Sequence, residues 1–456
     1  MLLGLLSMEH ADVVIVGAGA AGLAAARDLS GTGLRVVVLE ARQRMGGRIE
    51  TVRPPGCAVA VELGAEFIHG QAEETLRVAR AAGVPAVEIP DVHWRRTPRG
   101  FETRDFWGTV ARVLSRVPKR GDRSAAEFLR SLRRVAPADR RLVRSFVEGY
   151  HAAPLDAISA RSIALDREDA APGANPQFRI LDGQDRLIEW LAAGCDPDTT
   201  SIRTGTAVAR VDWTARGVAL SDAGGRSIRA AAAVITVPLG VLHAPAGSRG
   251  AIRFVPDLPP AFRRALGKVA MASVVKITLR FREAFWERDG FLERRLSSRR
   301  AADPARLVFL HDAEAAFPTW WTAAPARVPL LTAWAGGPAA AARRARAVPP
   351  EEVAIETLAR LLRMRRAELE SQLAAAWRRD WTADPFSRGA YSYARPGGAS
   401  AARVLARPAG ARLLFAGEAT AADETGTVAG ALSSGRRAAR ELRSIFRLGR
   451  VGEARR

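Results

Sequence analysis

Cysteine, lysine and long apolar runs are what this chain of 456 residues has least of. Its two cysteines, Cys57 and Cys195, show no CxxC spacing, which excludes a disulfide framework and fits a reducing, cytoplasmic setting. Their simplest role is as small core residues. No metal site is expected. No segment reaches the roughly 18 consecutive apolar residues of a membrane span. The opening MLLGLLS lacks a basic flank and is too short for a signal peptide, so Met8 stands beside Met1 as a candidate start.

Lysine is nearly as scarce, at Lys119, Lys268 and Lys276 alone, although Lys and Arg together number 69 against 48 acids and give a net charge of +21. Such a balance suggests a polyanion partner. The arginines, however, are scattered through Ala-rich stretches such as AARRARA (341–347) or grouped as in RSLRR (130–134), with no compact recognition motif. No specific nucleic-acid partner is expected. With 48% hydrophobic residues the chain is globular, and its length exceeds one core, so two closely joined domains are expected.

What is present begins with ADVVIVGAGAAGLAAARDL (11–29), a β-branched run passing into an Ala-rich helical one. Gly17, Gly19, Ala20 and Gly22 stand at the joint. In this strand-turn-helix context the glycines have separate tasks: Gly17 permits the turn, Gly19 lets backbone approach a pyrophosphate, and Gly22 lets the helix close on the strand. The helix N-terminus then faces the phosphates with unpaired N–H groups. LRVVVL (34–39) is the expected second strand, and Glu40 at its end is placed for ribose hydroxyls, with Ala41 and Arg42 beside it. The following EARQRMGGR (40–48) resembles the flavoprotein element in which Gly-Gly-Arg follows the ribose acid by a short loop, and this likeness favours a flavin dinucleotide over a nicotinamide one. Gly46 and Gly47 free the backbone to follow the cofactor, and Arg48 brings charge to its phosphates or to the flavin rim.

From here the chain resembles the flavin-containing amine oxidase family, the group of monoamine oxidases, polyamine oxidases and lysine-specific histone demethylases, over roughly 11–439. The matching blocks are the dinucleotide motif, VELGAEFIHG (61–70), TAVARV (206–211), SVVKITLRF (273–281), DPFSRGAYSYARPGG (384–398) and LLFAGEATAADETGTVAGALSSG (413–435). This resemblance implies an α/β chain with a discontinuous Rossmann-like FAD-binding domain at 8–72, 196–248 and 395–445. A substrate domain of mixed sheet and helices would use 73–195 and 249–394, with a helical insertion near 106–153. It implies non-covalent FAD, because Ala390 stands where the covalently flavinylated members carry cysteine. No C-terminal anchor of the mitochondrial kind is expected.

The resemblance also assigns roles. Gly64, Ala65, Glu66 and Phe67 fall beside the flavin ring, and Val208 meets the adenine through its backbone. Glu418 reaches the ribityl and phosphate region. Gly426, Thr427 and Val428 open a helix whose N–H groups meet the flavin's O2. His69 falls near the substrate channel. In VVKITLRF the alternation puts Val274, Lys276 and Thr278 on one face and Val275, Ile277 and Leu279 on the other. The lysine matching Lys276 points at the flavin N5 through a water. Tyr391 is the first wall of the family's aromatic pair, and Thr427 replaces the second. Phe67 stands where the amino-acid-oxidizing branch carries its carboxylate-binding arginine.

The implied reaction is hydride transfer from an amine carbon to flavin, imine hydrolysis to an aldehyde, and reoxidation by dioxygen to hydrogen peroxide. Amine and dioxygen are the expected partners of a monomer or homodimer. A polyamine-type substrate is slightly favoured, with Glu62, Glu66 and Asp423 or Glu424 as offsetting carboxylates. Rival readings are an L-amino-acid oxidase, a protoporphyrinogen-oxidase-like or desaturase-like flavoenzyme, and a non-catalytic FAD-stabilised binding protein.

Overall fold

A computed structural model of the chain describes residues 9–70, 72–103, 105–166, 176–296 and 306–453. The MLLGLLS run and Met8 lie outside them. The first apolar run forms strand β1 (Glu9–Val16), followed by helix α1 (Ala20–Leu29) and strand β2 (Val36–Leu39). β2 begins two residues later than its apolar pattern: Leu34 is buried, but pairing with β1 starts at Val36 opposite Val13. The two strands run parallel, and α1 supplies the crossover that a parallel pair requires.

Around this unit an eight-stranded sheet assembles from separated parts of the chain. Thr200–Arg203 extends it beyond β2 and Ser227–Ile235 flanks β1, both parallel. Antiparallel Val218–Asp222 and Val208–Trp213 follow, and Leu413–Phe415 returns to pair with the Ile235 end. The long C-terminal helix Val428–Glu453 packs on α1, where Ala21, Ala24 and Ala25 meet Ala438, Ala439 and Leu442 in one core. Small side chains on both helices permit that close approach. The α/β expectation holds.

A second sheet of seven strands carries the lysine strand, Val274–Phe281, between Leu373–Arg378 and Leu330–Gly336. Thr319–Thr322, Phe309–His311, His93–Thr97 and Gly100–Thr103 complete it. Its alternation is as the sequence dictates. Val275, Ile277 and Leu279 share one core with Leu331, Ala333 and Trp320 and with Ala354, Leu358 and Leu362 of the Pro350–Leu362 helix. Burying each of the larger side chains contributes about 1.5–3 kcal/mol. The opposite face presents Lys276, Trp334, Thr319 and His311 in register across four neighbouring strands. Helices Phe106–Leu114, Ala125–Ser131 and Pro137–Tyr150 form a further core around Phe128, Val143 and Phe146. Asp105 and Ser124 cap the first two, each accepting a backbone N–H.

One expectation changes. Cys57 and Cys195 are both free thiols at the edges of apolar clusters, only partly buried, and not core residues. Each follows a turn at the end of an element, where packing on one side is open. Among the described residues no helix is long and apolar enough to cross a membrane. Nor does any group of three or more His, Cys, Asp or Glu side chains there fit a metal ion.

Candidate active site

A cavity of about 760 Å³ lies between the two sheets, within the size range of cofactor and ligand pockets. Of the cofactor-binding and catalytic residues expected from the sequence, all but Gly22 line it. Gly22 lies behind, where a β-carbon would stand 1.9 Å from the Gly17 carbonyl oxygen. Its task is packing. Gly19 differs, because a β-carbon there would have its nearest neighbour 3.9 Å away, at Gly47 Cα. The space before it is left clear by the protein. Gly17 turns the chain at φ +110°, a conformation that favours glycine.

The α1 N-terminus has no side-chain cap and no acid in its first turn, so its N–H groups remain for an anion. Glu40 is 4% exposed, and its two carboxylate oxygens each accept a backbone N–H, from Ala18 and Arg42, at 2.9 Å. Each oxygen keeps a lone pair for a ribose hydroxyl. These features fit a dinucleotide cofactor.

Three residues expected at the cofactor prove to be partly engaged elsewhere. The Arg42 guanidinium is held by Asp384 and Ser387, each at 2.8 Å, with Nη1 3.7 Å from Glu40 Oε1, while the Arg42 backbone N–H donates to Glu40. Burial would push the Asp384 carboxyl up, but Arg42, the Phe386 N–H and Arg379 together more than reverse this and hold it below the usual range. Arg48 donates to the Ala390 carbonyl at 2.7 Å and to Glu418 Oε1 at 2.9 Å. Glu418 Oε2 in turn accepts from the Ser392 hydroxyl at 2.5 Å and the Gly426 N–H at 3.1 Å. Glu418 thus ties the GGR loop, the AYSY segment and the approach to the C-terminal helix into one rigid wall.

Lys276 is 6% exposed, and its ammonium contacts Glu66 Oε2 at 2.6 Å and the Gly64 carbonyl at 3.2 Å. An ammonium has three N–H groups, so one remains for the cavity. Glu66 also receives Trp321 Nε1 at 2.9 Å and the Arg179 guanidinium at 3.2 Å. Burial would raise the Glu66 carboxyl, but Lys276 and Arg179 outweigh it and the net displacement is downward. Glu62 does not line this cavity: it accepts from the Gln184 N–H at 2.6 Å and from the Thr51 hydroxyl at 2.8 Å. Burial pushes its carboxyl up to about 7. Glu62 and Glu66 are therefore corrected from channel carboxylates to a buried turn anchor and a neutralised ion partner.

The remaining wall is aromatic. The Tyr391 hydroxyl donates to the Tyr150 carbonyl at 2.7 Å, and burial pushes that phenol well above its ordinary range. His69, on a short strand paired with Gln177–Ile180, sets its ring edge-on to Tyr150 at 5.0 Å. Thr427 lines the cavity, yet its hydroxyl accepts the Gly430 N–H at 2.9 Å and so caps the C-terminal helix. Tyr150, Trp321, Trp334, His311 and Arg179 were not identified from sequence. Tyr150 continues a helical aromatic stripe with Phe146, and such a stripe is first read as core.

Residues 20–443 match the model of the family described as flavin containing amine oxidoreductase. The chain belongs to this family. It is similar to lysine-specific histone demethylase 1 homolog 2 of Oryza sativa subsp. japonica, at 30% identity over 95% of this chain and 57% of that protein. The chain therefore spans little more than half of that relative. It is also similar to polyamine oxidase 2 of Arabidopsis thaliana, at 28% identity over 97% of this chain and 90% of that protein. Among solved structures, putrescine oxidase bound to putrescine superposes with a TM-score of 0.77 at 20% identity, covering 95% of this chain and 99% of that one. Cyclohexylamine oxidase from Brevibacterium oxydans IH-35A gives the same TM-score and identity, covering 96% and 99%. These two likenesses establish the fold.

Proposed function

We propose that this flavoenzyme holds FAD non-covalently and oxidises an amine that carries no neighbouring carboxylate, with polyamine-type amines favoured. The observation that carries the reading is Lys276, buried in the cavity wall with one N–H left for the cavity, in a chain that uses arginine almost everywhere else. The flavin, when bound, supplies a two-electron acceptor for the hydride leaving the carbon beside the amine nitrogen, and dioxygen takes the electrons on as hydrogen peroxide. Gly17, Gly19 and Glu40 hold its dinucleotide end, and Arg48, Glu418 and Gly426 the far wall. Lys276 orients the water that hydrolyses the oxidised amine to an aldehyde. Tyr391, His69 and Tyr150 narrow the approach and exclude bulk water, while Thr427 leaves one side wider than an aromatic residue would.

The reading without a substrate carboxylate is supported by Arg179. It lies 5.2 Å from the Phe67 ring, behind it, and its charge is spent on Glu66. Of the acids lining the cavity, Glu424, and Asp423 with its Oδ1 3.7 Å from Arg403 Nη2, are the candidates for a second ammonium. The test is anaerobic bleaching of the bound flavin, followed by peroxide release on admitting air, with spermine, N-acetylspermine, benzylamine and L-leucine. Bleaching by amines but not by L-leucine supports the reading. Preference for L-leucine overturns the carboxylate argument. No bleaching by any of them favours a binding protein or a flavoenzyme of different chemistry.

A further inference from the structure

Among the described residues two arginines lie out of water, Arg179 at 6% and Arg343 at 7% exposed. Arg179 is paired with Glu66. Arg343 is not paired: among the described residues no hydrogen bond or ion pair reaches its guanidinium. Burial, and then the neighbouring cation Arg346, push it below its ordinary value, and no acid acts against them. A desolvated cation without a counter-ion is costly, and buried charges are normally paired.

Arg343 stands in the last turn of the helix Gly337–Arg344, which follows the strand Leu330–Gly336. A cation suits a helix C-terminus, yet none of its five N–H groups is bonded there. The side chain lines a groove of about 470 Å³ between this helix, the Pro350–Leu362 helix and residues 314–316. None of its nitrogens is both unbonded and sealed from solvent, so its small exposed remnant includes the guanidinium, which opens into the groove. The groove shares no lining residue with the cavity between the sheets.

Four arginines and three glutamates line the groove. Glu356 is paired with Arg360 at 3.8 Å, and Arg366 is bound to Glu370 and lies near Glu352 and Glu356. These charges compensate one another, whereas Arg343 and Arg346 stay in no ion pair and form the cationic part. Beside them the lining is apolar, with Ala342, Val348 and Val353. Val348 is 47% exposed, and no other large apolar side chain among the described residues is so open. The planar fork of an arginine matches a carboxylate through two parallel hydrogen bonds. A phosphate dianion gains less, because Glu314, Glu352 and Glu356 face the same groove.

We propose that this groove is a second ligand site, which binds a monocarboxylate bearing a short hydrocarbon chain. Arg343 and Arg346 hold the carboxylate, and Ala342, Val348 and Val353 cover the chain. The site stands apart from the flavin chemistry, so its test does not depend on any amine being oxidised.

The experiment is calorimetric titration of the flavin-bound protein with hexanoate, with acetate, hexanamide and inorganic phosphate alongside. Hexanoate should bind saturably, and acetate, which lacks the chain, and hexanamide, which lacks the charge, at least tenfold more weakly. Arg343→Met should weaken hexanoate binding tenfold or more, the worth of a charge-assisted hydrogen bond. Its melting temperature without hexanoate should equal or exceed that of the native protein, since no partner within the chain is lost. Val348→Asp, at an open position, should weaken binding likewise by repelling the carboxylate. Absence of saturable hexanoate binding, or binding that both variants leave unchanged, overturns the site. An Arg343→Met protein that melts well below the native one overturns it too, because the guanidinium is then engaged within the fold. Tighter binding of phosphate than of hexanoate overturns the monocarboxylate class.

Discussion

Glu66 lies between two buried cations, with Lys276 Nζ 2.6 Å from one carboxylate oxygen and Arg179 Nη2 3.2 Å from the other. The group carries a net charge of +1. Attraction within it offsets the cost of taking three ions out of water, so the arrangement is sensitive to losing its centre. Glu66→Gln would leave two cations facing each other and should lower stability by about 3–5 kcal/mol in urea unfolding. Adding Arg179→Met should recover part of that loss. Because the folded Glu66 carboxyl is held below its ordinary value of 4.5, its contribution is present above that pH and lost as pH falls. The gap between native and Glu66→Gln proteins should therefore narrow on acidification. A gap that widens would refute this assignment.

Lys276→Met should keep the flavin bound while slowing turnover by about ten- to a thousandfold, since the role proposed for the ammonium is on water and oxygen and not on the dinucleotide. Stopped-flow reduction and reoxidation rates equal to those of the native enzyme would remove Lys276 from the chemistry.

Gly19→Val should abolish flavin binding without unfolding the chain. A β-carbon there meets no protein atom closer than 3.9 Å, so the clash arises only with a ligand. Far-UV circular dichroism should match the native protein while the purified variant is colourless. A yellow variant at full occupancy would displace the phosphate site from Gly19.

Glu62 tests burial alone. Its carboxyl, about 7 against an ordinary 4.5, favours the protonated form in the fold. The stability this confers is complete below about pH 4.5 and disappears as pH rises through about 7. The difference of about 2.5 pH units corresponds to at most about 3 kcal/mol. Glu62→Gln, whose amide oxygen can accept the Gln184 N–H while its NH2 donates to the Thr51 oxygen, should match the native protein in acid and exceed it near pH 8. Equal melting temperatures at both pH values would show that Glu62 ionises without cost.

Acid precipitation should leave the yellow colour in the supernatant, since Ala390 offers no thiol to the flavin and its carbonyl is taken by Arg48. Colour retained in the pellet would show a covalent link.

Local rules sufficed for much of this molecule. The period of two in VVKITLRF placed Lys276 opposite Ile277, because alternation is a property of the extended backbone and holds wherever the strand ends up. The glycine spacing of the first turn placed the cofactor end for the same reason: turn, approach and helix packing are all decided within a few residues. Glu40 needed no more than the end of β2.

What only the tertiary structure decided is which charges meet. Arg179 and Glu66 are more than a hundred residues apart, and nothing local marks either as the other's partner. Arg42 was legible as a residue beside the ribose acid, but its guanidinium turns to Asp384 because that buried carboxylate, brought from the far end of the chain, needs a cation. Glu62 was legible as an acid near the flavin motifs, yet a strand faces two ways and its side chain turns to Gln184. The row from Lys276 to His311 depends on strand register among four strands, which long-range pairing sets and a single strand's pattern cannot.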